Sequence, residues 1–318
     1  MEIVVLDGYT LNPGDLDWNA LQALGNVTIY PRTASELTIE RAQNANAILT
    51  NKVVLDADTI DALPNLQYIG VLATGTNVVD LEYARAKDVV VTNIPKYSTE
   101  SVVQSTFAQL LNFATALCKN AASTRAGNWS RCQDFSYTSA PIFELSGKTL
   151  GILGYGAIGK RVAQIANAFG MNVIVFSPRL SLGSSDQFAT AVSLDDLFAR
   201  ADFLTLHCPL KNTTEKIVNA ERINQMKNGA YLVNTGRGGL IDETAVANAL
   251  HSGKLSGFGA DVLSTEPPQK DNPLIDAPNA YITPHNAWAT LDARVRLMKI
   301  AVDNLAAFIK GEPVNVVN

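Results

Sequence analysis

A chain of 318 residues, 47% hydrophobic and 17% charged, has an ordinary globular composition and enough length for two domains, with apolar surface to bury without disulfides. No apolar run approaches the roughly 20 residues that cross a bilayer. A net charge of −5 with no basic cluster leaves no electrostatic footprint for nucleic acid, so a small molecule is the expected partner.

The N-terminus, Glu2 to Asp7, has no basic flank or cleavage site and reads as a first strand. Ile3–Leu6, Val27–Ile29, Ala47–Leu49, Tyr68–Val71 and Val89–Val91 alternate with amphipathic stretches, the pattern of a parallel sheet with helical crossovers. From Thr99 to Arg125 apolar positions keep helical spacing, which predicts one long helix crossing between domains. After an irregular Gly127–Leu145 segment, a second series of strands starts at Thr149–Leu153. It continues through Val173–Phe176, Phe203–Leu206, Tyr231–Val233, Gly257–Ala260 and Tyr281–Thr283, and six strands make a complete dinucleotide-binding sheet. Leu291–Ile309 is again amphipathic and helical, suited to return to the first domain. The expected fold is α/β, with one domain formed by residues 1–98 and 290–318 and the other by 99–289. Cys118, Cys132 and Cys208 lack metal-ligand spacing and read as free thiols of a reducing, cytoplasmic compartment, with no metal.

Gly154-Tyr155-Gly156-Ala157-Ile158-Gly159 follows the apolar strand Thr149–Leu153 and opens the amphipathic run Ala157–Ala168. In that context Gly154 permits a tight turn, Gly156 lets the backbone approach a pyrophosphate, and Gly159 allows close helix–strand contact. The N–H groups at the start of the helix then face the phosphates. After the second strand, where a carboxylate usually takes the adenosine ribose, stands Ser177-Pro178-Arg179. Serine and arginine suit a 2′-phosphate, which favours NADP(H) over NAD(H). The alternative is a solvated Arg179, with NAD(H) held by other contacts.

Three polar residues each follow a strand of the second series: Arg237, Glu266 and His285. Open α/β sheets gather ligands at such strand ends. An arginine pairs with a carboxylate, a histidine moves a proton, and a glutamate would orient the imidazole and favour its charged form. Singly, Arg237 reads equally as surface charge, Glu266 as the lip of the Pro267-Pro268 turn, and His285 as a capped loop histidine.

Taken together, Gly154–Gly159, Asn234–Gly239, Gly259–Pro268 and Thr283–Thr290 closely resemble the D-isomer-specific 2-hydroxyacid dehydrogenase family, over essentially the whole chain. The resemblance implies a Rossmann-type doubly wound domain inserted into a smaller flavodoxin-like substrate domain. It implies that Arg237 binds and polarises a small 2-oxo or D-2-hydroxy acid, that His285 is the general acid/base, and that Glu266 is its partner. Asp261 would face the nicotinamide carboxamide. Ala73–Asn77 matches the family loop whose backbone N–H groups hold the substrate carboxylate, which singles out Thr74 and Gly75; Lys52 and Trp288 would line the same pocket. His207, Pro209 and Thr214 would lie along the adenosine and ribose side of the cofactor, with Ala157, Ile158, Thr235 and Gly236 also touching it. His251 receives no function.

Ser177–Arg179 departs from the family's acidic ribose ligand. Asn286-Ala287-Trp288 resembles the glycerate dehydrogenase and hydroxypyruvate (glyoxylate) reductase branch. The implied reaction is NAD(P)H-dependent reduction of hydroxypyruvate or glyoxylate. Its alternatives are D-lactate or phosphoglycerate chemistry, or a non-catalytic NAD(H)-sensing protein of the corepressor kind. Family members are commonly dimers, so a homodimer is expected, with Thr99–Arg125 and Gly127–Leu145 as its contact surface.

Overall fold

The computed structural model describes residues 1–318. Its backbone contacts divide it into two compact units, Met1–Ser98 with Ala289–Asn318, and Thr99–Trp288. No helix is long and apolar enough to cross a membrane.

The first unit holds five parallel strands: β1 (Glu2–Val5), β2 (Asn26–Ile29), β3 (Ala47–Thr50), β4 (Tyr68–Val71) and β5 (Val90–Thr92). Their order, β2-β1-β3-β4-β5, is that of flavodoxin-like doubly wound sheets. Every residue of β3 and β4 is buried, as strands covered on both faces must be, whereas edge strand β2 alternates exposed and half-buried positions. The ring of Tyr68 lies 5.0 Å from that of Phe308 on the helix Leu291–Ile309. Its hydroxyl shares a 2.6 Å hydrogen bond with Thr92 Oγ1, and burial pushes the phenol up to about 12. The C-terminal helix is tied to this unit again by Arg294, which is buried and donates from both guanidinium ends to Asp15 (2.6 Å each) and to Leu11 O (3.2 Å).

The second unit carries β6 (Thr149–Leu153), β7 (Asn172–Phe176), β8 (Thr190–Ala191), β9 (Phe203–Leu206), β10 (Ala230–Asn234), β11 (Leu255–Ala260) and β12 (Ala280–Ile282). All are parallel, in the order β12-β11-β10-β9-β6-β7-β8. This is the Rossmann order, with a seventh strand beyond the six. The seventh is β12 at one end of the sheet, and the strand missing from the six expected is β8, whose two residues are too few to show any periodicity.

The single long helix expected over Thr99–Arg125 is instead two, Thr99–Thr115 and Leu117–Arg125, both inside the second unit. Between them Ala116 takes a left-handed φ of 50°. The hydrogen bonds that would continue the helix are diverted: Ala114 O accepts from Phe143 N (2.9 Å), and Asn112 Oδ1 accepts from Cys118 N (2.9 Å). Burial differs accordingly. The first helix buries Val103, Phe107, Leu110 and Phe113, while the second buries no residue.

Candidate active site

The turn after β6 is shaped by what its glycines leave out. Gly154 has a φ of 101°, and a Cβ there would sit 2.5 Å from Cys208 N and 2.6 Å from His207 C. Chirality and contact thus both demand glycine. A Cβ on Gly159 would run into the carbonyl of Gly154, so the helix Ala157–Ala168 could not seat against β6. Gly156 faces open space and is the helix N-cap, with no side-chain cap. The first N–H groups of that helix, on Ala157, Ile158 and Gly159, therefore point outward without a partner of their own chain, the arrangement that receives phosphate.

Next to this turn, His207 N donates to Leu153 O (2.7 Å). Its side chain is partly buried, its Nε2 is fully buried with no partner, and burial pushes the imidazole down to about 4, so it is neutral at pH 7. An orphaned nitrogen beside an uncapped helix and an open glycine suits a dinucleotide. Cys208 is no nucleophile, because burial pushes its thiol up to about 11. Thr214 is put to local use: its hydroxyl donates to Pro209 O (2.7 Å) and accepts from Lys211 N (2.8 Å), closing the loop that holds Pro209. After β7, half-buried Ser177 and exposed Arg179 form a turn, in which Ser177 O accepts from Leu180 N (3.0 Å) and Ser177 Oγ accepts from Arg179 N (3.4 Å).

After β10 the chain makes a turn governed by Asn234, a fully buried residue that sequence reasoning did not single out. Its Oδ1 accepts from Gly236 N (3.0 Å) and its Nδ2 donates to Arg237 O (2.9 Å). Thr235 is pinned separately, its hydroxyl 3.1 Å from that of Thr106. Arg237 emerges exposed, with one guanidinium N–H directed to Gly236 O (2.8 Å).

Glu266 and His285 meet across the loops that follow β11 and β12. Glu266 Oε2 lies 2.5 Å from His285 Nδ1, and Glu266 Oε1 accepts from Leu263 N (3.0 Å). One carboxylate oxygen is thus held by backbone and the other by the imidazole, whose Nε2 is left for a reacting group. Both side chains are about one-third exposed, 29% for the histidine and 34% for the glutamate, so a ligand can reach them.

The backbone of His285 is itself unusual, with φ at 51°, a left-handed conformation uncommon outside glycine and asparagine. Asp261, 2% exposed, stabilises it by accepting from residues on both sides. Thr283 Oγ1 (2.6 Å) and Asn286 N (2.9 Å) donate to Oδ1, and Ala287 N (2.8 Å) donates to Oδ2. Burial raises its carboxyl above the usual range, against those hydrogen bonds and the nearby His285, which lower it. Trp288, partly exposed, follows as the last residue of the unit.

The remaining expected residues belong to the first unit. Lys52 is exposed at the end of β3, where buried Asp7 accepts from Asn51 N (2.8 Å), Lys52 N (2.5 Å) and Val53 N (3.2 Å). Beyond β4, Thr74 Oγ1 donates to Ile94 O (2.8 Å), and Asn93 Nδ2 donates to Thr74 O (2.8 Å). These bonds hold the loop, while the N–H groups of Thr74 and Gly75 donate to no acceptor of the chain. Asp7 and Asn234 escaped sequence reasoning because an acid or amide at a strand end reads as an ordinary turn residue. Only their burial distinguishes them.

Comparisons with known proteins agree with this architecture. The profile of the D-isomer specific 2-hydroxyacid dehydrogenase NAD-binding domain matches residues 107–287. A hydroxypyruvate reductase of Blautia hydrogenotrophica is 45% identical over 321 residues, covering 100% of both chains. A glycerate dehydrogenase of Methylorubrum extorquens is 41% identical, covering 89% of this chain and 88% of its own. Among solved structures, an acyclic imino acid reductase in complex with NADPH and D-Arg superposes with a TM-score of 0.87 at 28% identity, over 100% of both chains. With a Rossmann-ordered sheet, a glycine turn open to phosphate and this sequence identity along its whole length, the chain belongs to the D-isomer-specific 2-hydroxyacid dehydrogenase family and is a 2-hydroxyacid oxidoreductase of the CH–OH class.

Proposed function

We propose that the protein reduces hydroxypyruvate or glyoxylate to D-glycerate or glycolate. The observation that carries the reading is the 2.5 Å contact between His285 Nδ1 and Glu266 Oε2, beside the turn that presents Arg237. When bound, the reduced nicotinamide supplies a hydride to the carbonyl carbon. His285 delivers a proton from Nε2 to the carbonyl oxygen as negative charge develops there, and Glu266 holds the imidazole so that Nε2 faces the substrate. Arg237 pairs with the substrate carboxylate and polarises the carbonyl. Thr74 and Gly75, whose N–H groups are unengaged and suit a carboxylate, are assigned with Lys52 and Trp288 to substrate binding. Three of the roughly four acceptor sites of Asp261 are used within its own loop, which leaves one for the nicotinamide carboxamide. On this reading Met1–Ser98 with Ala289–Asn318 is the substrate domain and Thr99–Trp288 the cofactor domain.

NADP(H) is the preferred cofactor: Ser177 and Arg179 offer a hydroxyl and a guanidinium where no carboxylate stands. Gly154, Gly156 and Gly159, with Ala157 and Ile158, receive the pyrophosphate, and Thr235, Gly236, His207, Pro209 and Thr214 flank the nucleoside parts. The protein assembles as a homodimer through the Thr99–Leu145 region, which carries the exposed side chains of Leu111, Leu117, Trp129, Phe135 and Ile142. Three free thiols support a reducing, cytoplasmic setting.

A spectrophotometric matrix of NADH and NADPH against glyoxylate, hydroxypyruvate, pyruvate and phosphohydroxypyruvate tests the whole assignment. The two named acids should show the highest kcat/KM, and NADPH should exceed NADH. Highest turnover on pyruvate or phosphohydroxypyruvate would overturn the substrate. Cofactor binding without turnover on any acid would overturn the enzyme.

A further inference from the structure

We infer that Glu243 is a positioning residue for the Glu266–His285 pair, an inference that rests on the acid–base reading above. The turn Leu263-Ser264 presents two successive N–H groups, and each is taken by a carboxylate. Leu263 N donates to Glu266 Oε1 (3.0 Å), and Ser264 N donates to Glu243 Oε1 (2.7 Å). Glu243 is held in turn at its other oxygen, where Asn272 Nδ2 donates to Oε2 (2.8 Å). Asn272 is fixed by accepting from the N–H of fully buried Leu274 (3.0 Å).

Glu243 is the first residue of the helix Glu243–His251, but it is not needed as the cap. Asp242 fills that position, accepting from Ala245 N (3.0 Å). The carboxylate is therefore free to reach across to the loop, where the positive end of the helix dipole favours its charge. The opposite side of the turn is closed by Gly238, where a Cβ would run into the Leu263 carbonyl group and Ser264 N. The Leu263–Ser264 peptide, next in the chain after the N–H that orients Glu266, is thus seated between the residue after Arg237 and a glutamate at the start of a helix.

This arrangement couples the parts of the site. The Glu266 carboxylate has one oxygen on Leu263 N and the other on His285 Nδ1, so displacing the turn rotates the carboxylate and turns His285 Nε2 away from the reacting oxygen. In this scheme Glu243 acts through Ser264.

The test compares Glu243→Ala, Glu243→Gln and Glu266→Gln in the full chain, with glyoxylate or hydroxypyruvate and saturating NAD(P)H, active sites being counted by cofactor titration. Glu243→Ala should lower kcat per active site about tenfold, in line with the cost of small misplacements of reacting groups, while KM for the cofactor stays within about twofold. Glu243→Gln should recover most of the rate, because its amide oxygen still accepts from Ser264 N. Should Glu243→Ala fail to fold, Asn272→Ala carries the same test, with an expected loss of about two- to threefold per active site as Glu243 loses one of its two anchors. Wild-type kcat per active site in the alanine variants, or a Glu243→Gln variant as slow as Glu243→Ala, would overturn the inference. So would a loss seen only as fewer active sites and a lower Tm, the signature of a merely structural role. Glu266→Gln separates the two levels. If it is slow while Glu243→Ala is fast, only the positioning role fails; if it keeps wild-type kcat, the acid–base reading fails and the positioning role with it.

Discussion

Two turns of the nucleotide-binding unit stand in contrast, the one around His285 and the one after β7. Around His285 the carboxylates of Asp261 and Glu266 take backbone and side-chain donors from the loop, and the imidazole is clasped at 2.5 Å. After β7, Ser177 and Arg179 are joined by one long 3.4 Å bond, and the guanidinium is exposed. The difference separates two demands. A proton donor must be in place before the reaction, since preorganisation is what makes its charge effective. The phosphate-binding role proposed for Arg179 sets no such demand, because the ligand itself would supply the partner.

The contrast can be broken most directly at His285, the proposed proton donor. Replacing His285 by alanine should cut kcat/KM for the 2-oxo acid by about 10²–10⁴-fold, the usual contribution of a positioned acid or base. Cofactor affinity and thermal unfolding should stay near wild type; an unimpaired variant at neutral pH would remove His285 from the chemistry. Asp261→Asn tests whether the ordered loop is what sustains that donor. An amide cannot accept all three donors, so about 1–3 kcal/mol of stability should be lost, and kcat should fall with it, about tenfold or more for a misplaced imidazole. A normal Tm with normal turnover would show that the loop holds itself.

Arg179→Ala addresses the other turn. Losing a charge-assisted bond worth roughly 1.5–3 kcal/mol should reduce kcat/KM for NADPH about 10- to 100-fold and leave NADH nearly unchanged. Equal effects on both cofactors would assign Arg179 to solvent.

At neutral pH the smallest expected effect concerns His207. Burial holds its folded-state pKa at about 4, below the ordinary 6.5, so the unfolded chain takes up the proton first. Stability is therefore unaffected above pH 6.5 and falls as pH drops from there toward 4. Urea unfolding of His207→Asn should show a shallower loss across that window, and identical pH slopes for both proteins would contradict it.

Much of this was legible before the fold was known, because some physical demands leave their mark locally. The glycine turn was readable since Gly154 needs a positive φ and Gly159 answers to contacts within its own strand–turn–helix unit. The flavodoxin-like and Rossmann strand orders followed from a family resemblance, with apolar runs marking most strands. The break at Ala116 was not readable, because it depends on Phe143 reaching back to Ala114 O, a contact that no periodicity records. Strand β8 was missed for its brevity. Asn234, Asp7 and Glu243 look in the sequence like ordinary turn and helix-start residues. Asn234 bonds within its own turn and is set apart by burial, whereas the other two have distant partners: Asp7 reaches residues 51–53 and Glu243 reaches Ser264 and Asn272.

The sequence by itself determined the class of protein, the two strand series, the glycine turn and the identity of the three polar residues that follow β10, β11 and β12. Tertiary structure decided which atoms meet: Glu266 Oε2 on His285 Nδ1, Asp261 bracketing a left-handed histidine, and Glu243 seated on the turn that aims Glu266. The physical reason is range. Periodicity and turn chemistry act over a few residues, whereas hydrogen-bond satisfaction around the site is settled between strand ends, loops and helices that only the folded sheet brings within about 3 Å of one another.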